Sequence, residues 1–259
     1  MRAGSVGDDV RRIADGVRRR VRYSGVRAEP GIVLRELDVD GERMLLADVE
    51  GSVAVEVVAG EVGQGAYDFR DIDIAPGDTI LDIGAHIGIV SIYLAKRHPD
   101  ARILAFEAVP RVFDLLVANV KRNKVRNVVP FNVAVTGDGR DLDLVSHPQS
   151  NTGGGSAYAA DHALPGHDRV TVPSVTLDQI LDRHDIGHCP LLKIDIEGAE
   201  YEVLYEAKRL PVIANIRGEF HENAYLMSNG YSMDELRDYC DDLIGAGRTR
   251  FTRCHMPDV

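Results

Sequence analysis

The sequence has no tryptophan, and aromatic residues make up only 6% of its 259 positions. Acidic side chains outnumber basic ones 41 to 30, a net charge of −11. The basic face and stacking rings that nucleic acids require are therefore scarce, which predicts no nucleic-acid partner. The three cysteines, Cys189, Cys240 and Cys254, form no C-x-x-C pair and no zinc-like spacing, so free thiols in a reducing compartment are expected. No apolar run approaches the roughly 20 residues that span a bilayer. The first ten residues carry Asp8 and Asp9 and no apolar h-region, which predicts a cytoplasmic protein with no secretory signal and no membrane partner. A G-K-[ST] phosphate cradle is missing as well.

What remains is an ordinary globular composition, 44% hydrophobic and 27% charged, long enough for one large α/β domain with an appendage. Residues 1–27 hold eight arginines against three aspartates, a local +5 that leaves −16 on the rest. Val10, Ile13, Ala14, Val17 and Val21 recur at helical spacing, so the segment reads as an amphipathic helix with a basic outer face. It is expected to pack on the body or on a second copy of the chain. Ile32–Leu37, Arg43–Val49 and Val53–Val58 are β-rich runs with turn residues between them, and predict a small antiparallel meander. Residues 1–70 are thus read as an appendage and 71–259 as the main domain.

Past Pro76 the pattern alternates. Strands are expected at Thr79–Ile83, Arg102–Glu107, Val128–Val135, Val170–Val175, Leu191–Ile196 and Val212–Phe220, with an edge strand at Arg248–Cys254. Helices are expected from Gly88 to Arg97, from Pro110, near Ala199–Lys208 and at Met233–Ile244. Such alternation predicts a doubly wound, mostly parallel sheet. The polar stretch Ser146–Arg169, with three consecutive glycines at Gly153–Gly155, reads as a lid-like loop.

The most specific segment is Leu81 to Gly88, placed where a strand becomes a helix. Gly84 and Gly88 allow a tight turn and close backbone approach, and the helix amino terminus offers free N–H groups. Glu107 follows Gly88 by nineteen residues, where such folds hydrogen-bond a ribose. The alternative is that the glycines only turn the chain and Glu107 caps the Pro110 helix. His86 replaces the second glycine of the dinucleotide fingerprint, which disfavours NAD and suits S-adenosylmethionine, a nucleoside cofactor without a phosphate. Asp82, Gly84, Ala85, His86, Gly88, Glu107, Ala108 and Val133 are the candidate cofactor contacts.

These motifs, in order Asp82–Gly88, Phe106–Pro110, Thr176–Asp178 and Leu192–Glu200, resemble those of FkbM-type S-adenosylmethionine-dependent methyltransferases over about residues 67–220. The resemblance implies a class I, Rossmann-like methyltransferase fold and methylation of a hydroxyl on a sugar, polyketide or other natural product, small or carrier-bound. The Asn151–Ser156 segment is similar to a polar loop of that family, which makes Asn151, Thr152 and Ser156 candidate substrate contacts. Only one strand is expected after Met233, so the closing hairpin of the fold is expected to be incomplete.

Ligands in open α/β sheets sit beyond the carboxyl ends of the strands. Asp195, Glu219 and His221 fall there, the last two on one face of their strand, and are the candidate catalytic residues. Asp195 or His221 can serve as base for a methyl acceptor; alternatively Asp195 and Glu197 tie down loop amides before the next helix. The same three residues can instead ligate a divalent ion, although no spacing fixes a metal and none is assigned. Rival readings are an amine- or carbon-directed methyltransferase, for which the D/N-P-P-Y/F segment is missing, an NAD-dependent oxidoreductase, and a non-catalytic binding module.

Overall fold

The computed structural model describes residues 31–52, 54–65, 67–147, 151–156 and 168–255. The basic segment before residue 31, the amphipathic helix expected in it and the dimer contact expected from it lie outside the described residues. Strands β1 (Ile32–Val39) and β2 (Glu42–Val49) pair antiparallel around the Asp40-Gly41 turn. The expected third strand of this meander is instead the start of helix α1 (Ala54–Gln64). Valine favours strands only weakly when context opposes it. Here Val55, Val58 and Val62 recur at helical spacing and pack into the core, and the Ser52 hydroxyl accepts the Ala54 amide at 3.3 Å.

The main sheet uses β3 (Thr79–Ile83), β4 (Arg102–Phe106), β5 (Val128–Phe131), β11 (Leu192–Ile194), β12 (Ile216–Glu222) and β13 (Thr249–His255). Its order is β13-β12-β11-β3-β4-β5, and every neighbouring pair is parallel. This is the doubly wound, class I Rossmann-like architecture that was expected. No antiparallel strand joins this sheet among the described residues. Helices α2 (Ile89–Arg97) and α3 (Pro110–Arg122) cover one face with α1 and β2, burying Ile80, Ile103 and Ala105. Helices α4 (Leu177–Arg183), α5 (Glu200–Glu206) and α7 (Met233–Ile244) cover the other, over Leu81, Ile83, Ile194 and Phe220. Short α6 (Ala224–Ser228) follows β12. Alternate residues of β3 thus enter opposite cores, as the pleat requires.

Three further readings change. Val128–Val135 is not one strand: β5 stops at Phe131, and β6 (Ala134–Val135) pairs with β10 (Ser174–Val175) in a separate two-stranded sheet. The break lies at Asn132, whose side-chain amide donates to the Glu107 and Ala108 carbonyls at 2.9 and 3.0 Å. The strand expected from Val212 begins at Ile216, because Pro211 lies within a short 3-10 turn over Leu210–Val212. The loop expected over Ser146–Arg169 contains ordered pairing: β7 (Leu142–His147) is flanked by β8 (Asn151–Ser156) and β9 (Asp168–Val172) in an antiparallel sheet. Ser156 and Asn151, at the two ends of β8, pair with Val145 and His147 across a register irregularity, and residues 157–167 lie outside the described residues. No helix among the described residues is long and apolar enough to cross a membrane.

Candidate active site

Strands β3 and β11 are neighbours at the point where the strand order reverses, so the crevice beyond their carboxyl ends is the expected ligand position. The chain leaves β3 through Gly84 and Gly88, both with positive φ, and enters α2. A Cβ built on Gly84 would lie 1.8 Å from the Asp195 carbonyl oxygen. Only glycine lets the turn after β3 lie directly on the turn after β11. The Gly84 and Ala85 amides both donate to the Phe106 carbonyl, at 3.0 and 2.9 Å, which fixes the same turn against β4.

Glu107, at the end of β4, ties this turn to the next. One of its oxygens accepts the His86 amide at 2.9 Å and the other the Val109 amide at 2.8 Å. It is 8% exposed, and burial pushes its carboxyl up to about 7 against the pull of those two amides. Glu107 thus ties down loop amides, without capping the Pro110 helix through a side chain at its N-cap. Burial holds the His86 imidazole down at about 4 and so neutral. Asp82 is fully buried, accepts the Ser91 hydroxyl at 2.5 Å and stands 3.6 Å from the Lys193 ammonium. Ala108 contributes its carbonyl to Asn132, and Val133 is buried in the core cluster that holds Phe106 and Val175. Asn151, Thr152 and Ser156 lie on β8, which runs beside α1.

The acceptor-side residues do converge. The His221 Nε2 atom stands 4.0 Å from Asp195, 3.6 Å from Glu197 and 4.0 Å from Glu219. Its Nδ1 pairs with Glu200 at 3.0 Å. Glu200 is fully buried and also accepts the Ile196 and Gly198 amides, at 2.8 and 3.0 Å. Amide anchoring before the helix is thus done by Glu200, three positions beyond Glu197 and five beyond Asp195, the two residues considered for it. Burial alone would discharge His221, but Glu200, the Cys254 side chain and Asp195 outweigh it and raise the imidazole to about 12. In this arrangement the ring already carries its proton at neutral pH, which leaves the carboxylates as proton acceptors. Burial, reinforced by Asp195, pushes Glu197 up to about 7 against the pull of His221.

Four contributors were not singled out from sequence. Lys193 is 3% exposed, donates to the Gly84 carbonyl at 2.7 Å and stands 3.4 Å from Asp195; burial opposes its charge, and the Asp195 and Asp82 carboxylates outweigh that. Its place within an otherwise apolar strand was the available signal. Glu200 has been described. Tyr67 and Glu61 come from the region read as an appendage: the Tyr67 hydroxyl lies 3.3 Å from Glu61 and 3.2 Å from Glu219. Burial and the neighbouring Glu219 push the Glu61 carboxyl up to about 7.

A family model described as the methyltransferase FkbM domain matches residues 82–243. Methyltransferase sdnD of Sordaria araneosa is 29% identical over 166 residues, covering 53% of this chain and 62% of that protein. The chain therefore spans about three fifths of sdnD's length. The 31-O-demethyl-FK506 methyltransferase FkbM of Streptomyces tacrolimicus is 28% identical over 178 residues, covering 58% and 68%. Among solved structures, the precorrin-6y C5,15-methyltransferase of Geobacter metallireducens GS-15 aligns over 65% of each chain with a TM-score of 0.38 and 16% identity. With the family model covering most of the sheet and both motif turns, this chain belongs to the FkbM methyltransferase family.

Proposed function

We propose that the protein is an S-adenosylmethionine-dependent O-methyltransferase acting on a hydroxyl of a small or carrier-bound natural product. The observation that carries this reading is the contact between the two turns. Gly84, in the cofactor turn, lies against the carbonyl of Asp195, whose carboxylate faces His221 and Glu219. Cofactor and acceptor positions are therefore adjacent.

The residues present suit this cofactor. The turn has no second motif glycine for a pyrophosphate, Glu107 keeps lone pairs free for ribose hydroxyls, and a carboxylate cluster is a compatible neighbour for a cation. When bound, S-adenosylmethionine supplies an electrophilic methyl on a sulfonium sulfur. An acceptor hydroxyl placed at this cluster would give up its proton to one of the carboxylates, Asp195 in the first place. Lys193, pinned to the Gly84 carbonyl and Asp195, holds the two turns at a fixed spacing, so positioning supplies much of the rate. The net charge of −11 supports a small acceptor over a nucleic acid. A relative named for a 31-O-demethyl substrate supports oxygen as the acceptor atom.

The test is incubation with methyl-labelled cofactor and a panel of polyketide, sugar and carrier-bound hydroxyl compounds. The reading expects a labelled methyl ether in at least one reaction. Label on nitrogen or carbon alone would overturn the oxygen assignment.

A further inference from the structure

We propose that His221, Asp195 and Glu197, with Glu219 beside them, form a binding site for one divalent transition-metal ion of the Mn²⁺ to Zn²⁺ series. Donor atoms of Asp195, Glu197 and His221 lie within 4.8 Å of one another, as do those of Glu219, His221 and Cys254. Two ligands of an ion held at about 2.0–2.2 Å are separated by roughly 3–4 Å. The 3.6 and 4.0 Å distances from Nε2 are thus already near the required spacing.

A cluster of acids alone would not carry this reading. The independent observation is the imidazole. His221 is 3% exposed, its Nε2 stands 3.6–4.0 Å from the three carboxylates that face it, beyond hydrogen-bond distance, and the ring's other side-chain partners are Glu200 and Cys254, itself a possible metal ligand. On its far side Nδ1 pairs with Glu200, which two backbone amides hold in place. A carboxylate on the other ring nitrogen is how metal-ligating histidines are oriented, and an ion bound here would displace the Nε2 proton that the ring carries without one. Glu197 reaches the cluster from a left-handed backbone position, φ 56°, which costs on the order of 1 kcal/mol.

The donor chemistry narrows the ion. Three carboxylates suit hard cations, while a buried imidazole favours the transition series over magnesium or calcium. The Cys254 thiol, grouped with Glu219 and His221, biases the set further in that direction. An acceptor hydroxyl bound to the ion would lose its proton more readily, and with Asp195 engaged as a ligand the proton would pass to Glu219 instead. That role rests on the methyl-transfer reading; the ion site does not.

The experiment is Mn²⁺ binding to the chelator-stripped full chain, followed by electron paramagnetic resonance and calorimetry, with Zn²⁺ as competitor and Mg²⁺ as a weak comparison. One ion per chain is expected, displaced by Zn²⁺. H221A is expected to lose at least 10-fold in affinity, and E200Q about 10- to 100-fold without removing any ligand. Circular dichroism and S-adenosylhomocysteine binding report whether each variant is folded; if H221A is not, D195N takes its place. Absence of Mn²⁺ and Zn²⁺ binding by the stripped wild type, or equal affinity in folded wild type and E200Q, would overturn the site. Ion binding without methyl transfer to any acceptor would leave the site standing and count against the activity instead, whereas methyl transfer by a chain that binds no ion defeats only the site.

Discussion

One oxygen of Glu107 accepts the His86 amide at 2.9 Å, so the acid at the end of β4 is built into the turn that follows β3. On the proposed function, cofactor recognition and loop shape both depend on this one side chain. Replacing Glu107 with Ala removes two charged hydrogen bonds to backbone and the free lone pairs. S-adenosylmethionine affinity is expected to fall by about 10- to 100-fold, the scale of 1.5–3 kcal/mol for hydrogen bonds to a charged group. Calorimetric titration checks this, and an unchanged affinity would confine Glu107 to structural duty.

The same residue predicts a pH dependence. Its carboxyl titrates at about 7 in the folded chain against an ordinary 4.5. The folded state therefore binds the proton more tightly than the unfolded state, and stability falls as pH rises from 4.5 to 7, then levels. The span corresponds to a loss on the order of 3 kcal/mol. Urea unfolding of wild type and Glu107→Gln should show curves that separate through this window. Parallel curves would contradict the assignment.

Gly84 allows no side chain. A Cβ there meets backbone at 1.8 Å and sits on a φ of +79°, so Gly84→Ala combines an unfavourable backbone state with overpacking. We expect destabilisation on the order of 3 kcal/mol and weakened cofactor binding. A melting temperature within a degree or two of wild type would show that the two turns can part freely.

The hairpin is fastened to the main domain by Asn119 of α3. Its side chain accepts the Ala47 amide at 2.7 Å and donates to the Ala47 and Ile87 carbonyls at 3.0 and 2.9 Å, fully buried. Asn119→Ala leaves three backbone groups unpaired and is expected to cost about 2–4 kcal/mol. Hydrogen exchange should rise in β2 first, at Ala47. Loss of stability without faster exchange there would argue against this fastening.

Much of the cofactor side was legible because its signals are local. Glycines, an acid and a strand-to-helix change lie within one supersecondary unit, and the glycine positions are dictated by backbone geometry. The acceptor side was legible only in outline. Asp195, Glu219 and His221 announce themselves as polar residues at ends of apolar strands, whereas Glu200 reaches His221 across 21 positions and two elements. No sequence period encodes that meeting; sheet order does. Tyr67 and Glu61 were hidden for a related reason, since the valine-rich run before them looked like a strand until helical spacing and packing on α2 prevailed. Gly153–Gly155 misled in the opposite direction, because they lie within a strand whose two ends, Asn151 and Ser156, pair with β7.

Asp195→Asn keeps size and removes the charge beside Lys193 and His221. Turnover is expected to fall by about 100-fold, with cofactor affinity within a few-fold of wild type. Single-turnover kinetics separate the two. Equal losses in affinity and turnover would place Asp195 on the cofactor side.

The central claim, that the Gly84–Gly88 turn with Glu107 is an S-adenosylmethionine site, is tested most directly by calorimetric titration of the purified chain with S-adenosylmethionine, S-adenosylhomocysteine and NAD in parallel. The account predicts one site per chain for the first two and no heat of binding for NAD. Tight NAD binding, or no binding of either adenosyl compound, would contradict it.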